Sequence, residues 1–289
     1  MPVTKNTAKI NYVSHLPELR AQIQKWRDAG ETIALVPTMG ALHDGHLSLA
    51  RKGKLRCNRL VVSIFVNPTQ FGPKEDFSVY PRTLETDLVK LEAVDCDLVW
   101  APTAEVMYPE NFATTICPKG AADGLETDFR PQFFSGVATV CCKLFMQVLP
   151  DLAIFGEKDY QQLYVVRQMV LDLNLPLDII GCETQREQDG LAMSSRNAYL
   201  SEREREIAAG LHRALQDAAH SFKNGVAASE ACRNAKNALQ NSGFERVDYL
   251  EIRCAETLRP VDNAEVNKAY RILAAAWLGK TRLIDNIPC

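Results

Sequence analysis

The chain reads as α/β, a parallel-sheet domain followed by a smaller α+β C-terminal domain. Three observations predict this. Short apolar β-type runs alternate with helical patterns across residues 32–181. One such run, residues 60–66, is apolar nearly throughout, as a strand covered on both faces must be. Beyond residue 200 the order changes to two helices followed by three β-type runs.

Taken in order, residues 32–37 read as a strand and 45–57 as a helix with Leu47, Leu49 and Ala50 on its buried side. The run 60–66 is the next strand, 84–93 a helix, 97–100 a short strand and 137–148 a helix. Residues 152–155 read as a strand, 158–173 as a helix with the stripe Leu163, Val166 and Val170, and 177–181 as the closing strand. Strands alternating with helices imply right-handed crossovers in a parallel sheet. Ligands of such sheets sit at the carboxyl ends of the strands. A charged stretch then opens a helix over residues 201–222, where Ser201 and Glu204 have the spacing of a capping box. Residues 227–240 read as another helix, and 247–252, 270–277 and 281–287 as strands. The change of texture places a boundary near residues 182–184, giving domains 1–184 and 185–289.

The composition is that of an ordinary globular chain, 46% hydrophobic and 24% charged over 289 residues. Thirty-three Lys and Arg against 36 Asp and Glu leave a net charge of −3, which argues against a nucleic-acid binder working by charge. None of the nine Cys forms a Cys-x-x-Cys pair. Free thiols in a reducing compartment explain them better than a zinc or redox site. The N-terminus has no apolar signal core, and no apolar run is long enough to span a bilayer. A soluble, cytoplasmic protein with no membrane partner is expected.

Chemistry is sought after each strand. After the first comes Met39-Gly40-Ala41-Leu42-His43-Asp44-Gly45-His46, with His43-x-Gly-His46 at a helix start. A helix N-terminus offers unpaired N–H groups and a positive dipole end to phosphate. Gly40 and Gly45 allow close approach of backbone to a ligand. Two imidazoles can hydrogen-bond a phosphate chain and stabilise a leaving pyrophosphate. A turn cap or a metal site is the competing reading of the histidines. After the second long strand, Asn67 and Gln70 offer amides to a polar substrate, or simply make an Asn-Pro turn with a solvated Gln. The segment Gly156-Glu157-Lys158-Asp159 follows another strand. Lys158 is the informative residue, because a cation at a helix start is mildly unfavourable unless it meets an anion. Gln162 lies one turn on, i+4 from Lys158. The fourth segment, Met193-Ser194-Ser195-Arg196, could hold polyphosphate through two hydroxyls and a guanidinium. Alone it is weak.

Together, His43 to His46 and Met193 to Arg196 resemble the paired signature of the nucleotidylyl-transferase superfamily. The longer strings 37–46, 62–71, 80–83, 155–162 and 189–197 resemble the pantoate–β-alanine ligases, in register from about residue 10 to 200. The resemblance implies a Rossmann-like sheet domain and a homodimer. It implies an ATP-dependent joining of pantoate to β-alanine through an adenylate, with Mg²⁺ accompanying ATP and no tightly bound organic cofactor. Carried over, Met39 to His46, Gly156 to Asp159 and Met193 to Arg196 face ATP, and Gln185 touches the adenine through its backbone. His46 is the proton donor to phosphate, and His43, Lys158 and Arg196 assist it. Gln70 and Gln162 hold pantoate, Gln70 also borders β-alanine, and Asn67 and Tyr80 fall on the substrate side. Asp87 matches a carboxylate near Mg²⁺. One departure stands out: Phe133 occupies a loop position, within residues 130–136, where the family usually has His. It is expected to close as an apolar lid. The rivals are a related adenylating enzyme, a tRNA synthetase, which lacks an anticodon-type domain here, and an idle paralogue serving as a binding module.

Overall fold

Two sheets organise the computed structural model, which describes residues 10–73 and 75–289. The parallel sheet contains β1 (Tyr12–Val13), β2 (Ile33–Thr38), β3 (Arg59–Ile64), β4 (Leu98–Trp100), β5 (Leu152–Gly156) and β6 (Asp178–Cys182). Their spatial order is β1-β4-β3-β2-β5-β6, every pairing parallel. The antiparallel sheet contains β7 (Arg246–Cys254), β8 (Tyr270–Leu278) and β9 (Thr281–Pro288), in that order. The helices are α1 (Leu16–Asp28), α2 (Asp44–Arg56), α3 (Leu84–Glu92), α4 (Ala104–Met107), α5 (Glu126–Phe129), α6 (Phe133–Val148), α7 (Tyr160–Asp172), α8 (Glu202–Ala208), α9 (Gly210–Lys223) and α10 (Ala228–Asn241).

Alternation within β2 shows why it lies at the centre. Ile33 and Leu35 belong to one apolar layer, with α1 and α6 residues such as Leu19, Ile23 and Leu144. Ala34 and Val36 belong to the opposite layer, with Leu49 and Ala50 of α2 and Leu91 of α3. Successive strand residues face opposite ways, so a strand covered twice is apolar at every position. Gly53 lets α2 approach the sheet: a Cβ there would lie 2.9 Å from Leu60 Cδ1. The strand order reverses between β2 and β5, which makes their carboxyl ends the topological switch point where open α/β sheets bind ligands.

The chain separates into two compact units. One holds the described residues up to Glu157 with Gln162–Cys182, the other Lys158–Gln161 with Glu183–Cys289. The short segment 158–161, which a contiguous division assigns to the first domain, groups with the second. Its anchors explain this: the Tyr160 hydroxyl donates to Ala255 O at 3.0 Å, and Arg271 stacks 3.8 Å from its ring centroid. In the second unit, α9 and α10 bury Leu215, Phe222, Ala231 and Leu239 against Leu250, Ile272 and Leu283 of the antiparallel sheet.

Local chemistry places several ends as expected. The Ser201 N–H donates to Glu204 Oε2 (2.8 Å) and the Glu204 N–H to Ser201 Oγ (3.3 Å), closing the capping box. Other elements differ. The helix expected over 201–222 is two helices, broken before Gly210, a weak helix former packed 3.8 Å (as a Cβ) from Phe244. β1 and α1 have no counterpart in the sequence reading. α6 begins at Phe133, so residues 133–136 form its first turn rather than a loop.

Candidate active site

In the first unit the site begins where β2 ends. Gly40 (φ +82°) and Ala41 (φ 50°) turn the chain through two left-handed positions into α2. Successive N–H groups in such a turn make a concavity for an anion. Here the anion is internal: Asp87, fully buried on α3, accepts from the Ala41 N–H with Oδ2 (2.9 Å) and from the Leu42 N–H with Oδ1 (2.8 Å). The Thr83 hydroxyl donates to Oδ2 at 3.1 Å. A Cβ on residue 40 would lie 3.2 Å from that same oxygen. Asp87 therefore supports the loop through both of its oxygens. Among the described residues no group of three or more His, Cys, Asp or Glu is placed to hold a metal ion.

The two histidines cap α2. Nδ1 of His43 accepts from the Gly45 N–H (3.2 Å), and Nδ1 of His46 accepts from the His43 N–H (3.4 Å). A neutral imidazole that accepts at Nδ1 carries its proton at Nε2. Both rings, 4.1 Å apart between centroids, are thus set as Nε2–H donors at a helix N-terminus. The cap and the phosphate readings of these residues are not alternatives. The cap selects the tautomer that donates from Nε2. Asp44 is exposed at the first helical position, and Gly45 follows it.

The Gln70 side chain is held from two sides. Its Oε1 accepts from Asn67 Nδ2 (3.1 Å), and its Nε2 donates to Met39 Sδ (3.2 Å). Asn67 is 1% exposed. Its Oδ1 accepts from the Tyr108 hydroxyl at 2.7 Å, and its Nδ2 donates to Gly136 O at 3.2 Å. Asn67 is consequently a positioning residue for Gln70, and it is not presented to a substrate. Tyr108 is the member of this relay that sequence reasoning missed, since nothing in its own segment marks it. Gly136 closes the arrangement: a Cβ there would collide with Thr69 O and come within 2.8 Å of Gln70 N. Tyr80 is also interior, packed edge-on against Phe71 at 5.9 Å. Gln162 and Glu157 are half-buried, and Gly156 ends β5 beside β2 in the sheet.

Phe133 is half-buried on the first turn of α6, with the Arg130 guanidinium 3.8 Å from its ring centroid. Arg130 also pairs with Glu75 (2.6 Å) and donates to Gln70 O (3.1 Å). This geometry makes Phe133 a stacking platform for Arg130. Phe133→Ala is therefore expected to lower the unfolding midpoint, because a cation–π contact worth about 0.5–2 kcal/mol goes with the ring. Phe133→His, which keeps a flat ring, should unfold at the wild-type midpoint. A wild-type midpoint in Phe133→Ala would overturn the platform.

The second unit carries the remaining groups. Lys158 Nζ lies 3.8 Å from Asp159 Oδ2. Residues 185–193 form a hairpin: the Glu187 N–H donates to Leu191 O (2.8 Å), the Met193 N–H to Gln185 O (2.9 Å), and Gly190 turns at φ +94°. The hairpin delivers Ser194, whose hydroxyl oxygen accepts from the Arg196 N–H (3.3 Å) and caps the 3₁₀ turn Ser195–Tyr199. Met193, Ser194, Ser195 and Arg196 are all half-buried, neither sealed in nor fully solvated. Arg205 beside Asp189 at the hairpin tip holds that carboxyl below its ordinary range. All nine Cys are free, and burial pushes the Cys96 and Cys141 thiols up to about 12.

A parallel sheet that opens at its switch point through a carboxylate-held loop into a histidine-capped helix defines a nucleotide-handling α/β enzyme. The comparisons with known proteins narrow this. A family model described as pantoate-beta-alanine ligase matches residues 11–288. The pantothenate synthetase of a Bradyrhizobium strain is 56% identical over 273 residues, covering 94% of this chain and 96% of the relative. The solved pantothenate synthetase of Thermus thermophilus superposes with a TM-score of 0.89 at 45% identity, covering 96% of this chain and 99% of that one. The pantoate-beta-alanine ligase of Francisella tularensis, solved with beta-gamma ATP and beta-alanine, gives 0.81 at 34% identity, covering 96% and 97%. The chain belongs to the pantoate–β-alanine ligase family.

Proposed function

We propose that this enzyme condenses pantoate with β-alanine at the expense of ATP, releasing AMP and pyrophosphate through a pantoyl-adenylate intermediate. A pantoate carboxylate oxygen attacks the α-phosphorus, and the bond to pyrophosphate breaks. The β-alanine amine then attacks the activated carbonyl carbon, and AMP leaves. The reaction needs no protein nucleophile, only position and charge stabilisation. The observation that carries this reading is the pair of Nε2–H donors of His43 and His46 at the start of α2, in the same unit as Gln70, whose amide is tied to Met39 of their loop.

In this scheme His46, His43, Lys158 and Arg196 take up the negative charge gathering on the leaving pyrophosphate. Residues 39–46, 156–159, Gln185 and 193–196 bind ATP, and Gln70 and Gln162 orient pantoate. Mg²⁺ enters as the counter-ion of ATP, part of the substrate complex, and no residue here is assigned to it. We extend the proposal to a division of labour between residues 1–184 and 185–289, to a homodimer, and to the cytoplasm, which the nine free thiols support. No helix among the described residues is long and apolar enough to cross a membrane.

The test is isotope exchange. Labelled pyrophosphate should enter ATP when pantoate is present and β-alanine is absent. Exchange that requires β-alanine would overturn the adenylate sequence.

A further inference from the structure

Two ATP-facing segments of the second unit, the Lys158 backbone and the hairpin leading into Met193–Arg196, are held by neighbouring residues of one strand. On β9, Asp285 has a side chain 2% exposed and forks onto Arg186 of the hairpin. Arg186 Nη1 donates to Asp285 Oδ2 (2.7 Å) and Nη2 to Oδ1 (2.9 Å). The same guanidinium donates to Gly190 O (3.0 Å) across the hairpin turn and to Asn286 O (3.3 Å) on the strand. Arg186 also pairs with Ala192 in the hairpin's own antiparallel bridge. The hairpin is therefore fixed to β9 through Arg186, whose bridge partner Ala192 lies two residues before Ser194.

The next strand residue, Asn286, donates from Nδ2 to Lys158 O (2.8 Å) and accepts at Oδ1 from Arg271 Nε (2.6 Å). Arg271 in turn stacks on Tyr160, two residues after Lys158. Adjacent residues of a strand point to opposite faces. Asp285 accordingly meets His212 of α9, whose Nδ1 is 3.6 Å from Oδ2, while Asn286 shares its face with Arg271. One stretch of backbone thus grips the hairpin on one side and the lysine segment on the other.

We propose that Asp285 and Asn286, through Arg186, are positioning residues for adenylate formation: β9 acts as a common ruler that sets where Lys158 and Arg196 meet the phosphates. The proposal rests on the ATP role assigned above to those two side chains. It assigns no contact with substrate to Asp285, Asn286 or Arg186. It concerns the first half-reaction alone, because charge on pyrophosphate develops only there, and β-alanine attack on a formed adenylate makes no demand on that spacing.

The test separates the half-reactions. Arg186→Lys keeps a positive charge beside Asp285 but loses the planar fork. Asn286→Asp keeps an acceptor for Arg271 and sets a carboxylate oxygen against Lys158 O, displacing that segment with little change of shape. In each variant, pantoate-dependent pyrophosphate exchange should fall about 10- to 100-fold, the scale of an ångström-sized misplacement. Conversion of supplied pantoyl adenylate with β-alanine should stay within about twofold of wild type, as expected when the groups that fail act only on the leaving pyrophosphate. Because both anchors act through one ruler, the double variant should lose less than the two single losses combined. Equal losses in both half-reactions would reduce these residues to fold supports and overturn the proposal, as would exchange at the wild-type rate in Asn286→Asp. Absence of exchange in the wild-type enzyme would instead overturn the functional reading, and this proposal with it.

Discussion

His46→Ala is expected to lower the rate of adenylate formation by about 10²–10³, the scale of one lost transition-state donor. The loss should appear in single-turnover rates at saturating ATP and pantoate. Because His46 also closes the cap of α2 by accepting from the His43 N–H, the same change should cost some stability, about 0.5–2 kcal/mol. The two roles can be pulled apart. Glu is the residue that usually closes a capping box at this position. His46→Glu should therefore fold with a near-normal unfolding midpoint. It should nonetheless be inactive in exchange, because it places negative charge where the phosphates must sit. An active His46→Glu enzyme would remove this residue from the chemistry and leave it only the cap.

Asp87→Asn should be among the most destabilising conservative changes in the first unit. An amide offers one acceptor where two backbone N–H groups need two, and its NH₂ would face the Ala41 or Leu42 N–H. Losing a charge-assisted pair inside the protein and orphaning a buried donor costs roughly 2–4 kcal/mol. Urea unfolding should show that shift, and the released loop should carry His43 and His46 out of register, depressing exchange as well. A metal ligand would behave differently: Asp87→Asn would keep its midpoint, and activity would return at raised Mg²⁺. That pair of results would support the magnesium role and remove the carboxylate from the loop's support.

Much of the site was legible because the relevant chemistry is local. His43, Gly45 and His46 signal a helix start and the seat proposed for phosphate within four positions, and Ser201 with Glu204 signals a plain cap. The apolar run 60–66 needs only its neighbours in the chain to show that both faces are covered. Lys158 was informative by itself, as a cation at a helix start. The first turn of α6 was not legible for a related reason: Gly136 looks like a loop residue until it is seen to make room for Thr69 and Gln70.

By itself the sequence determined the class of each long element, the two-part organisation and the segments that carry the groups proposed to face phosphate. These depend on periodicity, caps and turn residues, all of which act over a few positions. The tertiary structure alone decided which groups hold those segments. Asp87 meets the loop across 45 and 46 positions, Tyr108 reaches Asn67 across 41, and Arg186 meets Asp285 across 99. Such partners are chosen by which strands lie side by side and by how closely helices approach the sheet. A pattern read along the chain names the elements, but it does not say which residue of one will face which residue of another. So the donors proposed to meet ATP were visible one by one, and the buried acceptors that aim them were not.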